Sequence, residues 1–303
     1  MPLYPDLTNT TIFSQAGVAM AQYEINDPTT GLGMGPTGSI AKGSTRGMGR
    51  YIGIKNAAAP NPAARVTNVT GDNGRFLHRY VFNPAELGVI ALGFGAFDAN
   101  AYAAFSQTKI DTVADSAAIG IGTSAPAGAA QATLLIAMDA QDADALDFGG
   151  PRFSNVFYPG VNVWYLGEQA AEIQGADFQY QGYPTQVGRY PWGIAFSVAQ
   201  NGFTRAKGVK LSSHFPLTMN RYVVNGSNAS VTFTLDFSPT TDQTGPAIKA
   251  FRYVAATGLT EAATLTSVVP GTRSVTVAPL SGSFADGDVI TVLYESFDVQ
   301  ANS

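Results

Sequence analysis

Cysteine is absent from this chain of 303 residues, and histidine occurs only twice, at His78 and His214. The first absence excludes disulfides, thiolate metal sites and thiol nucleophiles, and it fits any redox compartment. The second leaves few side chains that titrate near neutral pH. Charge is also scarce, at 13% of residues, with a net of −5. A protein that grips nucleic acid needs basic surface to displace counterions, and this balance argues against one. No apolar run approaches the ~18 residues of a membrane helix. Residues 1–7 lack the basic and apolar regions of a secretory signal, so none is expected.

What the chain has instead is strand and turn material: 33 Gly, 17 Pro, 11% aromatics and many short Val/Thr/Tyr/Phe runs. Alternation predicts a strand at Gly17–Ile25. Residues 26–50 follow with Gly31, Gly33, Gly35, Gly38, Gly43, Gly47 and Gly49, a density that excludes helix or central strand and predicts a long arm. Strands resume at Arg50–Lys55, Ala64–Thr70 and Arg75–Phe82, the last two flanking the hairpin turn Gly71-Asp72-Asn73-Gly74. Asn83-Pro84-Ala85-Glu86 spells a helix start, and the apolar run to Phe97 is expected to hold a short helix. A second helix is expected over Ala99–Gln107. Further strands are predicted at Ala132–Met138, Asn155–Leu166, Asp177–Tyr180, Tyr190–Val198, Lys207–Leu211, Arg221–Val224 and Ser230–Phe237. The tail adds Ala250–Val254, Ala263–Val269, Ser274–Val277 and Asp288–Phe297. A dozen or so short strands with frequent turns predict a mainly β protein, a β-sandwich or barrel with one or two short helices and the Gly-rich arm. The expected organisation is one domain over 1–303 with an extended arm at 26–50. Residues 108–150 are a possible surface elaboration, and Gly245-Pro246 marks the best candidate boundary before a C-terminal β segment, 246–303.

The motifs that would carry chemistry fail on context. Gly33-Met34-Gly35-Pro36-Thr37-Gly38 has dinucleotide-loop spacing, but the Gly-rich residues after it offer no helix whose amides would meet a pyrophosphate. Lys42-Gly43-Ser44 inverts the Gly-Lys order of a phosphate loop. Asp139, Asp142, Asp144 and Asp147 lack the central Gly and terminal Glu of a calcium loop and read as a solvated acidic segment. Asp286-Gly287-Asp288 reads as a hairpin turn. Ser213 and His214, adjacent in a strand, point to opposite faces and do not pair. His78 reads as a strand residue. Trp164, Tyr165, Tyr180, Tyr183, Tyr190 and Trp192 form either a stacking platform for sugars or bases, or core and interface packing, which is favoured. The Asn-x-Ser/Thr triplets at Asn9, Asn68, Asn225 and Asn228 match chance for this composition. No catalytic residue, cofactor or metal is expected.

The charge is unevenly placed. Residues 1–97 carry five acids and seven bases, 98–177 ten acids and two bases, and 178–303 seven acids and eight bases. The acidic middle is the strongest charge pattern in the chain.

The strand at 17–25, the Gly-rich arm, the strand pair around Gly71-Asp72-Asn73-Gly74, the short helix opening at Asn83-Pro84 and the final alternating strand Val289–Tyr294 together resemble the tail tube proteins of tailed bacteriophages. The resemblance spans roughly the first half of the chain and its last strand, and it is architectural, without a diagnostic motif. It implies a virion structural protein made in the host cytoplasm. Its subunits would close into rings and stack head to tail, with itself and other virion proteins as partners and no membrane. Gly33, Gly35, Gly38, Lys42, Arg46 and Arg50 would then belong to an arm that reaches a neighbouring subunit. Some of Asp139, Asp142, Asp144 and Asp147 would line a lumen, where acids repel DNA that passes as non-specific cargo. Another phage structural subunit (capsid or decoration protein) and a β-sandwich carbohydrate-binding module are the alternative readings.

Overall fold

The computed structural model describes residues 19–48, 52–58, 65–70, 76–82, 90–94, 99–106, 110–113, 116–119, 131–139, 153–171, 175–184, 209–240, 248–296 and 298. The N-terminal strands are β1 (Ala19–Ile25), β2 (Thr45–Gly47), β3 (Ile52–Ala58), β4 (Arg65–Thr70), β5 (Phe76–Phe82) and β6 (Ile90–Phe94). After helix α1 (Ala99–Ser106) come β7 (Ile110–Val113), β8 (Ser116–Ile119), β9 (Ala132–Asp139), β10 (Phe153–Ala171), β11 (Gly175–Pro184) and β12 (Val209–Ser213). The last six are β13 (Leu217–Val223), β14 (Val231–Thr234), β15 (Lys249–Val254), β16 (Leu259–Val269), β17 (Ser274–Pro279) and β18 (Val289–Glu295). The protein is mainly β, as its composition predicts.

Two seven-stranded antiparallel sheets dominate. The first runs β11-β6-β3-β1-β9-β10-β12, and β10 also pairs with β11, so six of its strands form a nearly closed barrel. Closure depends on the length of β10. Its first half pairs with β9 and β12, and its second half pairs with β11. The register shift between Tyr158 and Val161 turns the strand from one neighbour to the other. Pro159 has no N–H to give, but its carbonyl accepts from the Asn26 amide at 2.8 Å and the Thr133 hydroxyl at 2.9 Å. Side chains therefore replace the interrupted ladder.

Alternation along β1 gives one apolar face and one that carries Met20 beside the buried polar Gln22 and Glu24. Ala21 and Tyr23 pack with Leu134, Ile136 and Tyr158 against Ala101, Tyr102 and Phe105 of α1. Burial raises the Tyr158 phenol to about 12. On the other face, Met20 packs with Ala137, Phe153 and Phe237.

The second sheet runs β14-β17-β16-β15-β18-β13-β2. Its inner face buries Val231, Phe233, Val275, Val277, Ile290, Val292 and Tyr294. The sheet curls until β13 and β14 face each other, with Tyr222 stacked on Phe233 at 5.0 Å between ring centroids. Asn220 ties this curl shut: its amide donates to Asp236 at 3.1 Å, and its carbonyl oxygen accepts from the Tyr294 hydroxyl at 2.7 Å. A third cluster joins the two sheets, Leu135 and Phe157 from the barrel meeting Leu217, Met219 and Phe251 from the second sheet.

The structure departs from the sequence reading in four places. Ile90–Phe94, expected within a short helix, is a barrel strand between β3 and β11; an apolar run broken by Gly93 and flanked by strands on both sides gains more from the ladder. Residues 110–119 contain the hairpin β7–β8, which their Ala- and Asp-rich composition hid. Apart from β2, the second sheet is built from Leu217 onward, so its strands start well ahead of Gly245-Pro246, a position outside the described residues. The Gly-rich segment is not extended over 26–48, since it folds against the chain's own second sheet and supplies β2 to its edge.

Candidate functional site

The most heavily built feature of the described residues is the seam between the two sheets. Glu24, next to the end of β1, and Arg221, in the middle of β13, lie 197 residues apart in sequence and are both fully buried. Arg221 Nε and Nη2 donate to the two carboxylate oxygens of Glu24 at 3.3 and 2.9 Å, a bidentate fork. Nη1 donates to the Thr291 hydroxyl of β18 at 2.5 Å. Register sets this geometry, because Arg221 pairs with Thr291 on one side and Arg46 on the other.

The loop from Asn26 to Ser44 covers the pair. Asp27 starts it as an Asx turn, its carboxylate accepting from the Thr29 and Thr30 amides at 2.9 and 2.7 Å. Leu32 is buried with Val223, Tyr253 and Val289, and Met34 and Ile40 pack beside it. Gly33 sits directly on the Glu24 carboxylate, where a Cβ would collide with it. Gly35 has a left-handed backbone, φ 71°, which only Gly adopts without strain, and it lies against the Arg46 side chain. We expect Gly33→Ala to displace the carboxylate and lower stability by about 1–3 kcal/mol, read by urea denaturation.

A second buried ionic group closes the other end of the sheet. Asp288 is fully buried and accepts from Arg252 Nε at 2.8 Å and Nη2 at 2.6 Å. It also accepts the Ala255 and Ala285 amides at 3.0 and 2.8 Å. Arg252 spends its remaining donors on Glu261 and the Ser283 carbonyl, and its guanidinium lies over the Phe284 ring. The turn expected at Asp286-Gly287-Asp288 is present, with Gly287 at φ 85°, and one of its carboxylates is a buried anchor.

Asp286, by contrast, is exposed. The Lys42 ammonium at 2.6 Å and the Gly226 amide at 3.0 Å hold its carboxyl below the ordinary carboxylate range. A lowered folded-state pKa means a small stabilising contribution, present above the ordinary value and lost as pH falls through the folded one. Lys42→Ala should therefore move the Asp286 midpoint upward, seen by carbon NMR of the carboxyl.

Many of the residues singled out from the sequence lie among the described ones. Gly33, Gly35, Gly38, Lys42 and Arg46 contact their own chain: Gly38 lies against Ile25, and Arg46 donates to Thr37. The arm so described is a docked loop because Leu32 and the β2 ladder give it apolar and hydrogen-bonding partners within the chain. Arg50 lies outside the described residues, as do Asp142, Asp144 and Asp147. Asp139 ends β9 opposite Phe153. Ser213 donates to the Phe215 carbonyl at 2.6 Å and accepts from the Asn155 amide at 2.7 Å, so its hydroxyl is engaged structurally. His214 is half-buried beside it. His78 pairs with Val69 in the β4–β5 hairpin. Tyr165 pairs with Tyr180, Trp164 with Gln181 and Tyr183 with Asn162 along β10–β11; Tyr190 and Trp192 lie outside the described residues. Among the described residues, no three of His, Asp and Glu gather as a metal site, and no helix is long and apolar enough to cross a membrane.

Compared with known proteins, the chain matches no family model, and no curated protein matches its sequence.

Proposed function

We propose that this chain is a self-assembling structural subunit of a virion, a tail tube protein whose copies close into rings and stack. One observation carries the reading: the buried arginines of the described residues pair with buried carboxylates that join separate parts of the fold. Glu24 and Arg221 lock the barrel to the second sheet, and Arg252 and Asp288 lock a turn to its strands. Each guanidinium is spent on a carboxylate and a neighbouring strand or turn rather than presented to a cleft. Such spending suits a part that must transmit load and keep its shape. The order of elements that carries the resemblance, with β1, the β4–β5 pair and β18, supports the same reading.

In such an assembly some of the acids of the middle segment, Asp139, Asp142, Asp144 and Asp147, would face the lumen. They would keep DNA phosphates from adhering while the genome passes. Sedimentation velocity of the purified full-length chain tests the proposal. Discrete species many times the 31.6 kDa subunit, growing with concentration, are expected. A single monomer boundary at every concentration would overturn it.

A further inference from the structure

Among the described residues, no strand pairs with the outer edge of β14. The Leu235 amide donates to the Arg273 carbonyl at 2.7 Å. In an antiparallel ladder the bonding direction alternates, so Val231, Phe233 and Leu235 turn their backbone groups to β17. Thr232 and Thr234 turn theirs outward, and their side chains are exposed. Beyond them the edge is closed, because the Asp236 amide donates to Asn220 at 3.3 Å. At the other end of the sheet, Asp236 accepts the Gly47 amide of β2 at 3.0 Å. One edge is thus capped, while the four residues of β14 carry no charge, proline or bulge that would discourage a further strand.

Elsewhere the chain carries a strand pair in need of a sheet. Among the described residues, β4 and β5 pair only with each other. A lone two-stranded hairpin is marginal in water. The end of β4 is exposed at Asn68, Val69 and Thr70, and Val69 is one of the few large apolar side chains exposed among the described residues. Charge favours the match: Arg65, Arg75 and Arg79 against Asp72 give residues 65–82 a net +2. Taking that +2 from the chain's −5 leaves −7 on the remainder.

We infer that the β4–β5 hairpin of one copy adds to the β14 edge of another, extending its second sheet by two strands. The contact joins two different surfaces, so it is heterologous and propagates head to tail. Backbone hydrogen bonds at Thr232 and Thr234 supply the affinity, and alternate β-branched residues of β4 meet the exposed threonines as cross-strand pairs. The inference shares with the proposed function only the premise that copies associate.

The lack of cysteine makes the test direct. Full-length Val69→Cys is mixed with Thr232→Cys or with Thr234→Cys, at the highest soluble concentration, and oxidised. Strand partners about 4.5–5.5 Å apart at Cα fall within disulfide reach. One mixture should give roughly tenfold more linked dimer than either variant alone or than a Ser281→Cys control. In parallel, Thr232→Lys with Thr234→Lys should abolish association while leaving thermal melting unchanged. Dimer yields equal to the control in both mixtures, or association untouched by the lysines, would overturn the inference. Tubes that form without this cross-link would remove the contact and leave the proposed function standing; a cross-link without tubes would do the reverse.

Discussion

Arg221→Ala should destabilise the protein by about 3–5 kcal/mol, because it leaves the Glu24 carboxylate buried without its partner. The loss exceeds what deleting an exposed pair such as Lys42–Asp286 would do, since water resolvates exposed charges. Glu24 is sealed by Gly33 above and by the barrel below, so the structure offers it no route to solvent without lifting the loop. Glu24→Ala should cost a similar amount. The double variant Glu24→Leu with Arg221→Met should recover roughly 2 kcal/mol or more relative to either single change, as apolar replacements fill the space without a stranded charge. Urea denaturation of wild type, Glu24→Leu, Arg221→Met and the double variant gives the coupling. Additive losses would mean that the pair does not act as a unit.

Asp288→Ala is the second large effect expected. It removes the acceptor of two backbone amides and the buried carboxylate of Arg252, which keeps only the more exposed Glu261 as its counter-charge, for a loss of about 3 kcal/mol. Asp288→Asn keeps an acceptor but loses the charge, and should fall between wild type and alanine. Hydrogen exchange supplies the specific readout: the Ala255 and Ala285 amides should lose protection in Asp288→Ala well beyond the change in global stability. Unchanged protection at those two amides would contradict the anchoring role.

Local pattern made much of this fold legible. Alternation located β1, β4, β5, β9, β15 and β18 within a few residues, and the helix expected over Ala99–Gln107 is α1. What local pattern cannot contain is partner choice. β1 pairs with β9, and no feature of the residues from Ala19 to Ile25 names a strand beginning at Ala132. The Gly-rich segment shows the same limit. Its glycines report turns correctly, but Leu32 is the residue that docks it, and a single leucine among glycines carries no signal of its destination. Glu24 and Arg221 were invisible for the same reason: each sits in a strand pattern as an ordinary polar alternate, and only the packing of two sheets brings them together. Of the apolar run before Phe97, Ile90–Phe94 is a strand because tertiary pairing with β3 and β11 decides its state; Asn83-Pro84 lies outside the described residues.

Negative-stain electron microscopy of the purified full-length chain tests the central claim, that copies assemble, most directly. Rings with a central hole, or hollow tubes made of them, are the expected images. Fields of separate single particles of subunit size, at every concentration and ionic strength tried, would contradict it.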